Sequence, residues 1–281
     1  MIYISTAFYQ EASPMIQAFS LNKLSQFSKY QVFGNEHFTL FITNPGPIAS
    51  CIGSTYVLSG QRPEATDLFV NLGICGCTDT TIPIGTPCLC TQINESLTGR
   101  VFYPDVLFSH PFLECCLETH PGNISDNSQI TSNAGTTLVD CEAASLYQSA
   151  QLFFQIHQML FIKIVSDYLE PQSVTDIHVR SCIECNLTAV FQWLENIQQS
   201  MQTACANSLL DVESIPEFHL LASQLKLSAT MKAQLKQLLN YSQLKGKDTG
   251  QLLSLCLEKT AQCNTKLEGK NYFEQFKQQL I

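Results

Sequence analysis

Three carboxylates of this 281-residue chain fall where apolar runs end. Glu11 follows "IYISTAFYQ", Glu142 sits in "VDCEA", and Asp167 closes "LFIKIVSD". Two glycine-bearing stretches end other apolar runs: "TNPGPIAS", with Gly46, and "NLGICGCTD", with Cys75 and Gly76. Carboxyl groups act as general acids, general bases and holders of developing positive charge. Each also has an ordinary structural reading. Glu11 suits the first turn of a helix, Glu142 a helix N-terminus, and Asp167 a cap. In α/β sheets ligands bind beyond the carboxyl ends of the strands, so the three together point to one pocket.

The elements that would position them alternate. "MIYISTA" reads as a strand and "SPMIQAFSLNKL" as a helix. "HFTLFIT" is a strand, "GPIASCIGSTYVLSG" a helix and "TDLFVNLGI" a strand. "PIGTPCLCTQINES" reads as a further strand, and "TTLVDCEAASLYQSAQLFF" passes from strand into helix before the long apolar strand "QMLFIKIVSD". Such alternation signals an α/β domain with a parallel or mixed sheet, and its continuous apolar runs suit strands buried on both faces. After Pro171 the period changes. In "CNLTAVFQWLENIQQSMQTA", Leu187, Val190, Phe191, Leu194, Ile197 and Met201 share one helix face, which would pack back on the sheet. From Leu209 onward the chain reads as helical, with breaks expected at Pro216, "KGKDTG" and "EGK". Residues 206–281 are therefore taken as an all-helical appendage, whose leucines and aromatics Phe218, Tyr241, Phe273 and Phe276 must be buried somewhere.

Composition narrows the function classes. The formal net charge is -9, but residues 206–281 hold nine Lys against seven Asp and Glu, so that segment is about +2 and the remainder about -11. An acidic body is a poor surface for nucleic acid. "LASQLKLSATMKAQL" loosely resembles a helix-turn-helix, yet no arginine cluster accompanies it, and Ser228 as an N-cap explains it as well. No stretch approaches the ~20 apolar residues of a membrane span, and the start has neither basic residues nor a sustained apolar run. With 13 cysteines, an odd number, the expectation is a cytoplasmic protein with reduced thiols. Cys182-x-x-Cys185, with His178 one turn upstream, lacks the second ligand pair of a zinc site, and no metal is expected.

The residues at the strand ends resemble, piecewise and in order, the nucleoside phosphorylase/nucleosidase superfamily, most closely the methylthioadenosine/S-adenosylhomocysteine nucleosidases. "AFYQE" resembles the N-terminal acidic motif, which implies that Glu11 activates the attacking water. "TNPGPIASCIGSTYVL", with Gly46 and Gly53, is similar to the family's glycine turn and following helix. "VNLGICGCTDTTIPIGT" keeps the frame of a second glycine stretch through Asn71, Gly73, Gly76 and Gly85. "VDCEAAS" resembles the glutamate-methionine-glutamate-alanine motif, placing Glu142 on the ribose hydroxyls and Cys141 where methionine packs. "KIVSD" resembles arginine-alanine-isoleucine-serine-aspartate, making Asp167 the nucleobase acid, with Ser166 orienting it. The resemblance covers roughly residues 1–201. It implies a three-layer phosphorylase-like domain over 1–205, a central mixed sheet flanked by helices. It further implies a small-molecule nucleoside ligand, no cofactor, and a homodimer or higher homo-oligomer. Departures from the family pattern are Ile74 for a serine, Lys163 for the arginine, and "TNPG" for a serine-glycine-isoleucine-glycine turn.

Cleavage of an N-ribosidic bond leaves the sugar with oxocarbenium character and pushes electrons into the base. A buried carboxylic acid at the base, a carboxylate on the ribose and a base for water match that demand. The nucleophile follows from what could hold phosphate. Of the three arginines, Arg62, Arg100 and Arg180, only Arg100 is a candidate anion binder, so water is favoured over phosphate. The expected substrate is a 5′-modified adenosine-type nucleoside. The alternatives are a phosphorylase, a hydrolase of futalosine- or inosine-like nucleosides, and a non-catalytic nucleoside-binding regulator. In "TGRVFYPDVLFSH", Arg100, Phe102, Tyr103 and Asp105 form either a packed strand end or a wall over the 5′ side of the substrate, supplied by a neighbouring subunit.

Overall fold

The computed structural model describes residues 1–131, 137–206, 212–244, 247–260, 263 and 265–280. The chain divides into two compact units, Met1–Cys205 and Ala206–Ile281.

The first unit runs β1 (Ile2–Thr6), α1 (Tyr9–Ala18), β2 (Asn22–Lys23), β3 (Gln31–Gly34), β4 (Phe38–Ile42), α2 (Pro47–Ser59) and β5 (Leu68–Cys77). It continues through β6 (Pro87–Glu95), β7 (Val101–Phe102), β8 (Leu113–Thr119), β9 (Thr137–Asp140), α3 (Ala143–Ala150), β10 (Met159–Asp167) and α4 (Asp176–Ala206). The strands form one mixed sheet with helices on both faces. Strand alternation sorts the side chains. Ile2, Ile4, Val70, Leu72, Ile162 and Ile164 pack with Met15 of α1 and with Ile183, Val190 and Leu194 of α4. Tyr3, Phe41, Phe69 and Phe161 pack on the other face with Val57 and Leu58 of α2 and Leu146 of α3. This is the expected three-layer α/β architecture.

Sheet order sets the site. Along one edge β5 pairs with β10, from Phe69 to Gly76. Along the other it pairs in parallel with β1 as far as Asn71, and then antiparallel with β9 from Gly76. Because β10, β6, β8 and β9 also pair in succession, these strands and β5 close a five-stranded ring. Between Asn71 and Gly76 neither β1 nor β9 lies beside β5, which leaves an opening in the sheet.

Several elements differ from the sequence expectation. β8, "LECCLET", was not anticipated, because its outer residues Leu113 and Glu114 are exposed and blur the apolar run. The β2–β3 hairpin edge is likewise too short to read. α4 begins at Asp176 rather than near Cys185, since Val179, Cys182 and Ile183 extend its buried face upstream.

The second unit contains α5 (Pro216–Gln224), α6 (Ala229–Leu244), α7 (Thr249–Lys259) and α8 (Lys266–Leu280) around its own core of Phe218, Leu221, Leu235, Leu253, Phe273 and Phe276. The side chain of Tyr241 lies outside the described residues. Ser228 Oγ accepts the Met231 N–H at the start of α6, and Asp248 caps α7 by accepting from Gly250 and Gln251. The break expected at "EGK" is corrected: α8 runs through it. Gly269 is there because the Leu225 carbonyl leaves no room for a Cβ, so the glycine serves close packing and not termination. No described helix is long and apolar enough to cross a membrane.

Each unit has its own buried apolar core, so residues 1–205 expressed alone are expected to fold cooperatively. A thermal melt with near-ultraviolet circular dichroism checks this; aggregation or a non-cooperative melt would show that 206–281 completes the first core.

Candidate active site

The opening beside β5 becomes a cavity of about 290 Å³. Its walls include Glu11 of α1, Ile74, Cys75 and Gly76 of β5, Cys141 and Glu142 between β9 and α3, and Ser166 and Asp167 at the end of β10. Asn123, Ile124, Val139 and Leu169 add a mostly apolar side, and Gln10 and Asp176 are hydrogen-bonded to each other at 3.0 Å. The three sequence-predicted carboxylates thus converge from residues as far apart in sequence as Glu11 and Asp167.

Glu11 is buried and closes the unpaired edge of β5. Its Oε1 accepts the Ile74 N–H at 2.8 Å, and its Oε2 accepts from Ala7 at 2.8 Å and Phe8 at 3.2 Å. A Cβ on Gly73 would come within 2.6 Å of Glu11 Oε1, so glycine is required where the carboxylate meets the strand. Burial raises the Glu11 pKa, against the opposing pull of Lys163 and the three N–H donors. A carboxylate has about four acceptor positions, and three are used here, leaving one for a further donor.

Glu142 is the N-cap residue of α3, but its side chain does not cap. Asp140 Oδ2 accepts the Ala143 N–H and Thr119 Oγ1 accepts the Ala144 N–H, doing that work instead. Freed from the helix, Glu142 Oε1 accepts the Gly46 N–H at 2.9 Å, at the N-terminus of α2. Gly46 therefore acts through its backbone, in a positive-φ conformation (φ 94°) that favours glycine. Burial first, then the Asp140 charge, push Glu142 up to about 7.

Asp167 holds a turn with one oxygen and meets Ser166 with the other. Oδ1 accepts the Glu170 N–H at 2.8 Å, holding the following turn, while Oδ2 lies 2.7 Å from Ser166 Oγ. That hydroxyl also lies 3.0 Å from the Cys75 carbonyl. One hydroxyl has one proton, so it serves Asp167 when the acid is ionised and Cys75 when Asp167 itself donates. Cys141 lines the cavity with its Sγ 3.9 Å from Asn123 Oδ1, and burial followed by Glu142 and Asp140 pushes its thiol up to about 12. It is a neutral packing group.

Two residues beneath the site were not named as site residues from sequence. Lys163 is buried, with Nζ 2.8 Å from Asp140 Oδ2. Burial alone lowers an ammonium, but the carboxylates of Asp140, Glu142 and Glu11 reverse this and raise it. The signal was present: a lone lysine inside "LFIKIV" must find a partner once that strand is buried on both faces.

Arg100 and Tyr103 do not reach the cavity. Arg100 is exposed and donates to Gln148 Oε1 at 3.0 Å, and Tyr103 is 62 % exposed. β7 pairs with the far end of β6, at Ile93 and Asn94, and carries them away from the carboxyl end of β5. Arg180 donates to Ser13 Oγ, so no arginine lines the cavity.

No family model and no curated protein sequence matches the chain. Solved structures do match the first unit. The 5′-methylthioadenosine/S-adenosylhomocysteine nucleosidase of S. pneumoniae, bound to a transition-state inhibitor, is 14% identical with a TM-score of 0.56, covering 69% of this chain and 97% of its own. The 5′-methylthioadenosine nucleosidase of Arabidopsis thaliana is 16% identical with a TM-score of 0.57, covering 69% and 95%. A futalosine hydrolase mutant of Helicobacter pylori is 13% identical with a TM-score of 0.54, covering 71% and 98%. The first unit thus shares its fold with these nucleosidases and the futalosine hydrolase.

The raised pKa of Glu142 sets the sign of a pH effect. Its folded value, about 7, lies above the reference 4.5, so the native state binds more protons between the two and loses stability as pH rises through that window. Glu142→Gln keeps an acceptor for Gly46 and removes the titration. The variant should gain in Tm over the wild type from pH 4.5 to 7 and hold a constant advantage above; a Tm difference independent of pH would contradict the assignment.

Proposed function

We propose that the first unit hydrolyses the N-ribosidic bond of a purine nucleoside, of the 5′-modified adenosine type. The observation that carries this reading is the convergence of Glu11, Glu142 and Asp167 on one cavity lined by no arginine, with Lys163 beneath it bonded to Asp140. The ribose sits against Glu142, the base reaches Asp167, and water occupies the remaining acceptor position of Glu11. The bond from C1′ to the base nitrogen breaks with its electron pair going to the base. Asp167, protonated, gives its proton to the base, and the Ser166 hydroxyl turns from the Cys75 carbonyl to the carboxylate left behind. Glu142 holds negative charge beside the ribosyl cation. Water attacks C1′ and passes a proton to Glu11, so free base and free sugar leave. General acid-base assistance of this kind supplies about 10²–10⁴-fold per group.

Electrostatics favours water over phosphate. A phosphate dianion would enter among carboxylates with no bidentate arginine to receive it, and the Gly46 N–H at the α2 N-terminus already serves Glu142. The cleavages named for the S. pneumoniae, Arabidopsis and Helicobacter proteins support the same class of chemistry. Ile48, Ile52 and Tyr56 form an exposed stripe at helical spacing on α2, which supports a homodimer. In that assembly Arg100 and Tyr103 would wall a neighbouring copy's cavity. A cytoplasmic location accords with twelve cysteines outside disulfides among the described residues.

Incubation with a nucleoside panel should release free base and free sugar at a rate independent of phosphate. Strict phosphate dependence, with sugar 1-phosphate as product, would overturn the hydrolytic reading. Asp167→Asn should reduce base release by about 10²-fold or more with Tm nearly unchanged, because the asparagine carbonyl still accepts from Glu170. A variant that melts several degrees lower yet keeps its activity would make Asp167 a cap alone.

A further inference from the structure

Ser166 interrupts the register of β10 on β5. Val165 lies opposite Cys75 and Asp167 opposite Gly76, so Ser166 has no partner position of its own. Consecutive strand residues ordinarily point to opposite faces. Here Ser166 and Asp167 line the same cavity, which the bulge permits by re-aiming the end of the strand. A bulged residue also leaves its peptide outside the ladder, and a buried carbonyl left without a donor is costly.

The donor comes from α4. His178 Nε2 lies 2.9 Å from the Ser166 carbonyl oxygen and, as the protonated nitrogen of the ring, donates to it. Cys182 Sγ is 3.6 Å from the same nitrogen, one turn further along, and serves as a second, weaker acceptor. The His178 N–H is held by Thr175 Oγ1 at 3.3 Å, which fixes the start of the helix. His178 does not line the cavity, whereas its neighbour Val179 does.

We propose that His178 is a positioning residue for Asp167, an inference that rests on Asp167 acting as the acid. By holding the Ser166 carbonyl, the imidazole fixes the peptide between Ser166 and Asp167. That peptide sets the direction of the Asp167 side chain and keeps Ser166 Oγ between Asp167 and the Cys75 carbonyl. Loss of the donor frees the peptide to rotate, and a displacement of about 1 Å in a reacting group costs on the order of 10²-fold in rate.

Two variants separate positioning from packing. His178→Phe retains a ring without the donor; His178→Gln retains an N–H that reaches the carbonyl. His178→Phe should lower kcat for base release by about 10²-fold with KM for the nucleoside little changed, and His178→Gln should restore most of the loss. Wild-type kcat in His178→Phe, or equal losses in both variants, would overturn the proposal. Crystal structures of the wild type and His178→Phe give a readout independent of activity. The proposal requires the Ser166 peptide and the Asp167 carboxylate to shift while the rest of β10 superposes; an unmoved Asp167 refutes it. A wild type that shows the shift on mutation but releases no base from any nucleoside refutes the hydrolytic reading and leaves the positioning of Asp167 standing.

Discussion

Between Asn71 and Gly76 one edge of β5 has neither β1 nor β9 beside it, and the site depends on this gap. β1 leaves after Asn71 because the chain turns into α1, while β9 arrives at Gly76 as the ring closes. A buried strand edge without a neighbour exposes backbone groups that need partners. Glu11 supplies one by accepting the Ile74 N–H, and so a carboxylate is brought into the middle of a sheet. The same gap provides the space that the cavity fills. Gly73 allows the carboxylate to approach, and a larger residue there would push it away from the strand.

Concentrating acidic groups in so small a volume is expensive unless a cation or protons offset it. Lys163 offsets part of the charge from below, through Asp140, while burial raises the pKa of Glu11 and burial followed by the Asp140 charge raises that of Glu142. The site is thereby tuned for positive charge. In the proposed hydrolysis a ribosyl cation would gain from such surroundings while an incoming anion would be repelled. Asp140 links these functions locally: it caps α3, binds Lys163 and leaves Glu142 free to reach Gly46.

The second unit has a core of its own. Its helices bury Phe218, Phe273 and Phe276 among leucines, and Gly269 lets α8 lie against the Leu225 carbonyl at the end of α5. The turn that loosely resembled a helix-turn-helix buries Leu221, Leu225, Leu227 and Leu235, so helix packing accounts for its pattern.

The sequence by itself determined the alternation of strands and helices, the apolar face of α4 and the three carboxylates, because periodicity and strand-end residues are local properties of the chain. It also marked the cavity side of "VDCEA" and "VSD". The tertiary structure alone decided that Glu142 would leave its own helix for the N–H of Gly46, 96 residues away, and that Asp140 would cap in its place. It decided that Lys163 is a buried partner, that His178 faces the Ser166 carbonyl, and that Arg100 and Tyr103 are carried off by β7. It also turned the glycine of "EGK" from a helix break into a packing contact. Such facts depend on which strand edges meet and how closely backbones approach, and those distances are set by pairing between segments remote in sequence.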